Sequence, residues 1–152
     1  MRQKIIRETF CTEEEFCTYR DQLQHCLREA LAKQDGKDTD SLENEVTLLE
    51  IALNEAVNNA FKYAEDRVSI PAVTLSMCLL HSQWLIIRVK DSGTGFKANQ
   101  VMTKLACLCG EEEETWQWGE SGRGLFIMAQ VMDKVRYNAK GNCVMLMKTL
   151  LK

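Results

Sequence analysis

Proline is almost absent, with Pro71 the single one among 152 residues. Such a chain has no Pro-rich spacer, and eight glycines are too few for a flexible tether. Seven of those eight lie beyond residue 90, so they mark particular places. No run of Lys or Arg occurs, and the net charge is −3. Both observations argue against direct nucleic-acid binding, because phosphates are neutralised by a basic face. No apolar stretch approaches the roughly 20 residues that span a membrane. The opening MRQKIIRETF lacks the apolar core of a signal peptide, so a cytoplasmic chain without membrane contact is expected. Seven cysteines, an odd number, contain no C-x-x-C pair. Cys107-x-Cys109 has the wrong spacing for a zinc knuckle, and His25 and His81 complete no ligand pattern. All seven are expected to be reduced thiols.

What is present is an ordinary globular composition, 45 % apolar, of a length suited to one domain over 1–152. Residues 4–10 read as a strand. Thr12-Glu13-Glu14-Glu15 reads as a helix start, a hydroxyl cap followed by carboxylates on the positive end of the dipole. Phe16, Tyr19, Leu23, Cys26, Leu27, Ala30 and Leu31 recur at helical spacing to about Lys33. Gln34 to Ser41 is a loop, and Asp40 or Ser41 is placed to cap a second helix. Its stripe is Leu42, Val46, Leu49, Leu53, Ala56, Val57, Ala60 and Phe61. Val73–Leu80 and Trp84–Asp91 form a hairpin pair around His81-Ser82-Gln83. A short helix is expected over Ala98–Leu108, another over Leu125–Met132, and a last hairpin over Val135–Ala139 and Cys143–Leu150. Consecutive antiparallel pairs with few helices predict an α+β, two-layer fold: helices on one face of a mostly antiparallel sheet.

Three short motifs carry chemistry. On the second helix, Glu55 and Asn59 are four residues apart and share one face, which Asn58 or Lys62 extends. A carboxylate, a carboxamide and an ammonium beside an apolar stripe suit a Mg²⁺–phosphate site. Taken alone, they are also an ordinary polar helix face. Asp91-Ser92-Gly93-Thr94-Gly95 follows the apolar strand ending at Val89. An Asp held at a strand end can accept a hydrogen from an exocyclic amine, and two glycines leave room for a flat ring. The same residues also suit a simple turn. Gly119-Glu120-Ser121-Gly122-Arg123-Gly124 then leads into an apolar helix, where free backbone N–H groups favour an anion. It is not a Walker A loop, since no G-K-[ST] follows, and no strand immediately precedes it as in a Rossmann fingerprint.

Their order is more specific than any one of them. Glu-x-x-x-Asn on a helix, Asp-x-Gly-x-Gly after a strand and Gly-x-Gly opening a helix resemble the asparagine box and two glycine boxes of the GHKL ATPases. That superfamily includes DNA gyrase B, histidine kinases and MutL. The resemblance covers about residues 42–150 and implies the GHKL (Bergerat) ATP-binding fold. E-A-V-N-N-A at Glu55–Ala60 and S-G-R-G-L at Ser121–Leu125 look most like the anti-sigma-factor serine/threonine kinases of bacterial partner-switching systems.

The resemblance implies the following roles. Glu55 is the catalytic base and Asn59 the Mg²⁺ ligand. Asp91 contacts adenine, with Gly93 and Gly95 shaping its pocket. Ser121, Gly122, Arg123 and Gly124 surround the phosphates, and Lys62 reaches a phosphate oxygen. Residues 98–121 are the ATP lid. The cofactors are ATP and Mg²⁺. The substrate is a STAS-domain antagonist, a sigma factor or other regulator is a further partner, and the first helix contributes to a homodimer. Two departures stand out. The lid holds Glu111–Glu114, with no basic residue between Lys104 and Arg123. Glu120 occupies a position where the family often has Arg. Trp116 and Trp118 lie in the same stretch and are placed either to pack on the domain or to meet a partner.

Two other readings share part of this site. One is an ATP-loaded regulator that sequesters a partner without phosphotransfer, which needs Asn59 and Asp91 but no base. The other is the catalytic domain of a histidine kinase, which Lys62-Tyr63 resembles. It lacks the helix pair with a phospho-accepting histidine, and His25 reads as a surface residue.

Overall fold

The computed structural model describes residues 2–32, 38–65, 71–93 and 119–150. Among these residues, five strands and three helices follow the order β1 (Arg2–Phe10), α1 (Glu13–Ala32), α2 (Thr39–Glu65), β2 (Val73–Leu80), β3 (Trp84–Asp91), α3 (Gly119–Val131), β4 (Lys134–Tyr137) and β5 (Cys143–Thr149). The strands form one sheet in the order β1-β2-β3-β5-β4, and every described pairing is antiparallel. This is the expected α+β architecture, an open antiparallel sheet with its helices on one side. The expected short helix over 98–108 lies outside the described residues.

The sequence explains where α1 begins. Thr12 Oγ1 accepts a hydrogen bond from the Glu15 N–H at 3.1 Å, and the Glu15 carboxylate accepts one from the Cys11 N–H at 2.9 Å. Two donors at the helix entrance are thereby satisfied together. Phe10 packs edge-on against Phe16, ring centroids 5.4 Å apart, and fixes the angle at which the chain leaves β1. Helix α2 is capped two to three residues upstream of the expected Asp40 or Ser41: Asp38 Oδ1 accepts from the Ser41 N–H at 2.7 Å.

Between the layers lies the core. The stripes read from the sequence are its helical half: Leu23, Leu27, Leu31, Leu49, Leu53, Val57 and Phe61 are almost wholly buried. Leu75, Met77, Leu85, Ile87 and Leu146 meet them from the sheet. Each such side chain contributes about 1.5–3 kcal/mol by leaving water. Helix α2 is central, packing on α1, on α3 and on β3. Two polar side chains of α2, Glu50 and Asn59, are buried. Glu50 accepts from Arg20 Nη2 at 2.7 Å and from Gln24 Nε2 at 2.6 Å, tying α1 to α2.

Two turns close the sheet. Gln83 N–H bonds to the Leu80 carbonyl at 3.1 Å, with His81 and Ser82 both at positive φ (53° and 56°). This mirror-image turn matches the twist of its strands. The other turn is organised by Asn138, whose Oδ1 accepts from the N–H groups of Gly141 and Asn142 at 2.8 and 3.0 Å. Gly141 there has φ of 80°.

Among the described residues, Cys11 and Cys17 are exposed, Cys26 and Cys143 half-buried and Cys78 buried, and all five are free. Cys107 and Cys109 lie outside the described residues. No helix among those described is long and apolar enough to cross a membrane.

Candidate functional site

The 27-residue α2 turns its polar strip toward α3. A Cβ built on Gly124 would sit 2.8 Å from Glu55 Oε2 and 3.4 Å from Asn59 Nδ2. Residues almost seventy positions apart thus meet, and the space between the two helices exists because position 124 carries no side chain. Glu55 is half-buried and Asn59 is 6 % exposed. Asn59 Nδ2 is enclosed without a hydrogen-bond partner. A buried carboxamide with an unspent polar atom is costly unless something else meets it. Its oxygen and nitrogen are interchangeable by a flip, so either a donor or an acceptor can face the gap. Lys62 stands exposed one turn further along α2.

At the end of β3, Asp91 is 6 % exposed. Its Oδ1 accepts from the Gly93 N–H at 2.7 Å. Desolvation pushes its pKa above the ordinary aspartate range, and the Gly93 bond pulls partly the other way. Two groups hold this turn in place. The Asp91 N–H donates to the Asn142 carbonyl at 2.8 Å, and Asn142 Nδ2 donates to the Gly93 carbonyl at 3.3 Å. Ser92 clamps the other side, its Oγ accepting from the Ala72 N–H at 2.9 Å.

Asn59 and Asp91 line one cleft, together with Ala60, Val89, Tyr137 and Asn142. It holds about 10 Å³, room for about one water, so a base entering it must part these walls. Tyr137, Gly141 and Asn142 come from the final hairpin, to which the sequence reading gave no part in the site. The Asn-x-x-Gly-Asn spacing at 138–142 was the available signal.

Helix α3 begins at Gly119, so the residues assigned to the end of the lid, 119–121, are its first turn. Ser121 and Gly122 belong to that turn too. The free N–H groups of a helix are those of its first four residues. Gly124 lies beyond them, and its described role is close approach to Glu55 and Asn59. This corrects the expectation that Gly122-Arg123-Gly124 opens the helix. Arg123 is half-buried. Gly95, the acidic run at 111–114 and both lid tryptophans lie outside the described residues. His25, on exposed α1 surface, has Nε2 3.0 Å from Glu29 Oε1.

A family model for the histidine kinase-like ATPase domain matches residues 14–148, most of the chain. The chain belongs to the histidine kinase-like ATPase family. No curated protein matches it closely enough to name a relative. Membership makes this an ATP-binding domain of the GHKL type, a fold that usually takes its nucleotide with Mg²⁺. The described residues suit such a ligand. The site offers a desolvated carboxylate at a strand end, a buried carboxamide with an unspent atom, and a glycine where any side chain would intrude. Among the described residues no group of three or more His, Cys, Asp or Glu could hold a metal unaided.

Proposed function

We propose that the protein is an ATP-dependent serine/threonine kinase of the anti-sigma type, acting on a STAS-domain antagonist in a partner-switching system. The observation that carries this reading is the meeting of Glu55, Asn59 and Gly124. Phosphoryl transfer needs positioning and charge neutralisation more than covalent chemistry. Asp91 accepts a hydrogen from the adenine amine and sets the depth of the nucleotide. Asn59, one helical turn from Glu55, would hold a Mg²⁺ through its carboxamide oxygen, and the ion would screen the phosphate charge. Lys62 is placed to meet a phosphate oxygen. Glu55 accepts the proton of the attacking serine or threonine hydroxyl. Arg123 and the first turn of α3, with Ser121 and Gly122, lie on the phosphate side. On the family pattern Gly93 and Gly95 would border the base.

Transfer of the γ-phosphate from ATP to a cognate STAS protein tests this reading. The expected result is transfer by the wild type and its loss in Glu55→Ala, with nucleotide binding retained. Binding without modification of any STAS protein in single-turnover incubations would overturn the kinase assignment. It would leave the second reading, an ATP-loaded regulator that sequesters a partner without transfer. The acidic run Glu111–Glu114, in a stretch with no basic residue between Lys104 and Arg123, favours that reading. Held near a triphosphate, four carboxylates would oppose the chemistry.

A further inference from the structure

The helices cover one face of the sheet, and the outer face carries a charge pattern of its own. Strand register places Arg7, Ser76, Arg88, Met145 and Arg136 in one row across all five strands. The next row is Lys4, Cys78, Ile86, Met147 and Lys134. Arg2 and Lys90 stand on the same face in the rows beyond. All seven cations are exposed. No Asp or Glu occupies an outward position on any of the five strands; Glu8 and Asp91 pair with Leu75 and Val73 on the helix side. Two Lys/Arg–carboxylate ion pairs of the described residues, Arg20–Glu50 and Arg28–Glu43, lie on the helices. Among the described residues, a chain of net charge −3 thus presents a positive sheet face with no outward carboxylate on its strands.

The cations are interleaved with apolar groups. Between the positive stripes run Ile86, Met145, Met147 and the half-buried Trp84. A hollow of about 230 Å³ opens there, rimmed by Arg2, Lys4, Arg7 and Arg88, with Cys78 and Ile86 between them.

We propose that this outer sheet face is a docking surface for an acidic, amphipathic protein segment. Charge complementarity requires an anionic partner. The apolar stripes favour one whose carboxylates alternate with large apolar side chains, and polarizable methionines adapt well to such side chains. Single-stranded nucleic acid wants several aromatic platforms, and the face offers Trp84 alone. A lipid surface wants protruding apolar groups. Among the described residues, the large apolar side chains that are strongly exposed, Leu48 and Ile51, are on α2 instead. A second copy of this face would oppose like charges directly. The site is separate from the nucleotide cleft, so this inference stands or falls independently of the kinase reading.

The test uses the full chain and a fluorescein-labelled helical peptide of about 20 residues, long enough to hold its helix, with alternating Glu and Leu pairs. Binding should weaken with added salt. It should be at least about tenfold tighter than to the same peptide with Lys for Glu, or to a Glu-only peptide. Arg7→Glu/Arg88→Glu/Arg136→Glu should cost at least about tenfold, and the corresponding triple Gln variant a smaller factor. Circular dichroism and ATP affinity should stay unchanged in both. Tighter binding to oligothymidine or to phosphatidylserine vesicles would overturn the proposal, as would equal binding of the Lys peptide. So would unchanged affinity in both triple variants, or self-association that the Glu variant abolishes.

Discussion

Asp91 is a carboxylate kept from water, and that has opposite effects on stability and binding. Because burial raises its pKa, the folded chain takes up this proton more readily than the unfolded chain. Its contribution to stability is therefore fully present below the unfolded value near 3.8 and is lost as pH rises through the raised folded value. At neutral pH the charged group costs stability. Asp91→Asn keeps an oxygen for the Gly93 N–H and removes the charge. The expected outcome is a Tm at pH 7 equal to or above wild type, a flatter dependence of Tm on pH in the acid range, and lost nucleotide affinity. Thermal melts across pH with parallel calorimetric titrations check all three. Gly124 gives a second residue-scale prediction. In Gly124→Ala the new methyl displaces the Glu55 carboxylate, the flexible end of its side chain, while a helix interior favours Ala by about 1 kcal/mol. Stability should hold or rise, and phosphotransfer should fall at least about tenfold. A Gly124→Ala enzyme with unchanged transfer would remove the case for that contact. The sequence named Glu55, Asn59, Asp91 and Gly124 because each stands in a short local pattern. Asn142 and Tyr137 were not legible as site residues, since their place depends on the sheet bringing β4 and β5 beside the end of β3.

Helices α1 and α2 were nearly complete in the sequence, because a 3.6-residue apolar period is a local signal and their stripes are the buried faces. The Glu50 clamp was invisible, for it joins residues on separate helices that only packing brings together. Arg20→Ala leaves a buried carboxylate with one of its two donors and should lower stability by about 1–3 kcal/mol, with Gln24 limiting the loss. Chemical denaturation measures it, and a lowered midpoint with unchanged slope is the expected form. Thr12→Ala should cost about 1 kcal/mol through the lost cap of α1. Strand order was less legible than strand position. Two hairpins could be read, yet not which strand of the second would stand beside β3. The seven-residue β5 does so, and the four-residue β4 is left at the edge, where fewer backbone groups go unpaired.

For the whole molecule, ligand binding to the folded chain alone raises its stability. Mg²⁺-ATP at about 100 times its Kd should add about 2.7 kcal/mol, which for a chain of this size moves Tm by about 5–10 °C. Chelating the Mg²⁺ should reduce that gain, and Asn59→Ala should make the remaining gain insensitive to chelator. The absence of any Lys/Arg run concealed the positive face. Arg88-x-Lys90 and Lys134-x-Arg136 are period-two pairs, which a search for contiguous charge passes over and a strand turns onto one side. Five of those seven cations lie on the two edge strands, three on β1 and two on β4. Open edges are where newly made chains stick to one another, and edge Lys and Arg discourage it. Neutral apolar replacements there would thus carry a colloidal penalty, clumping during synthesis and storage, that no change in folded-state contacts would foretell.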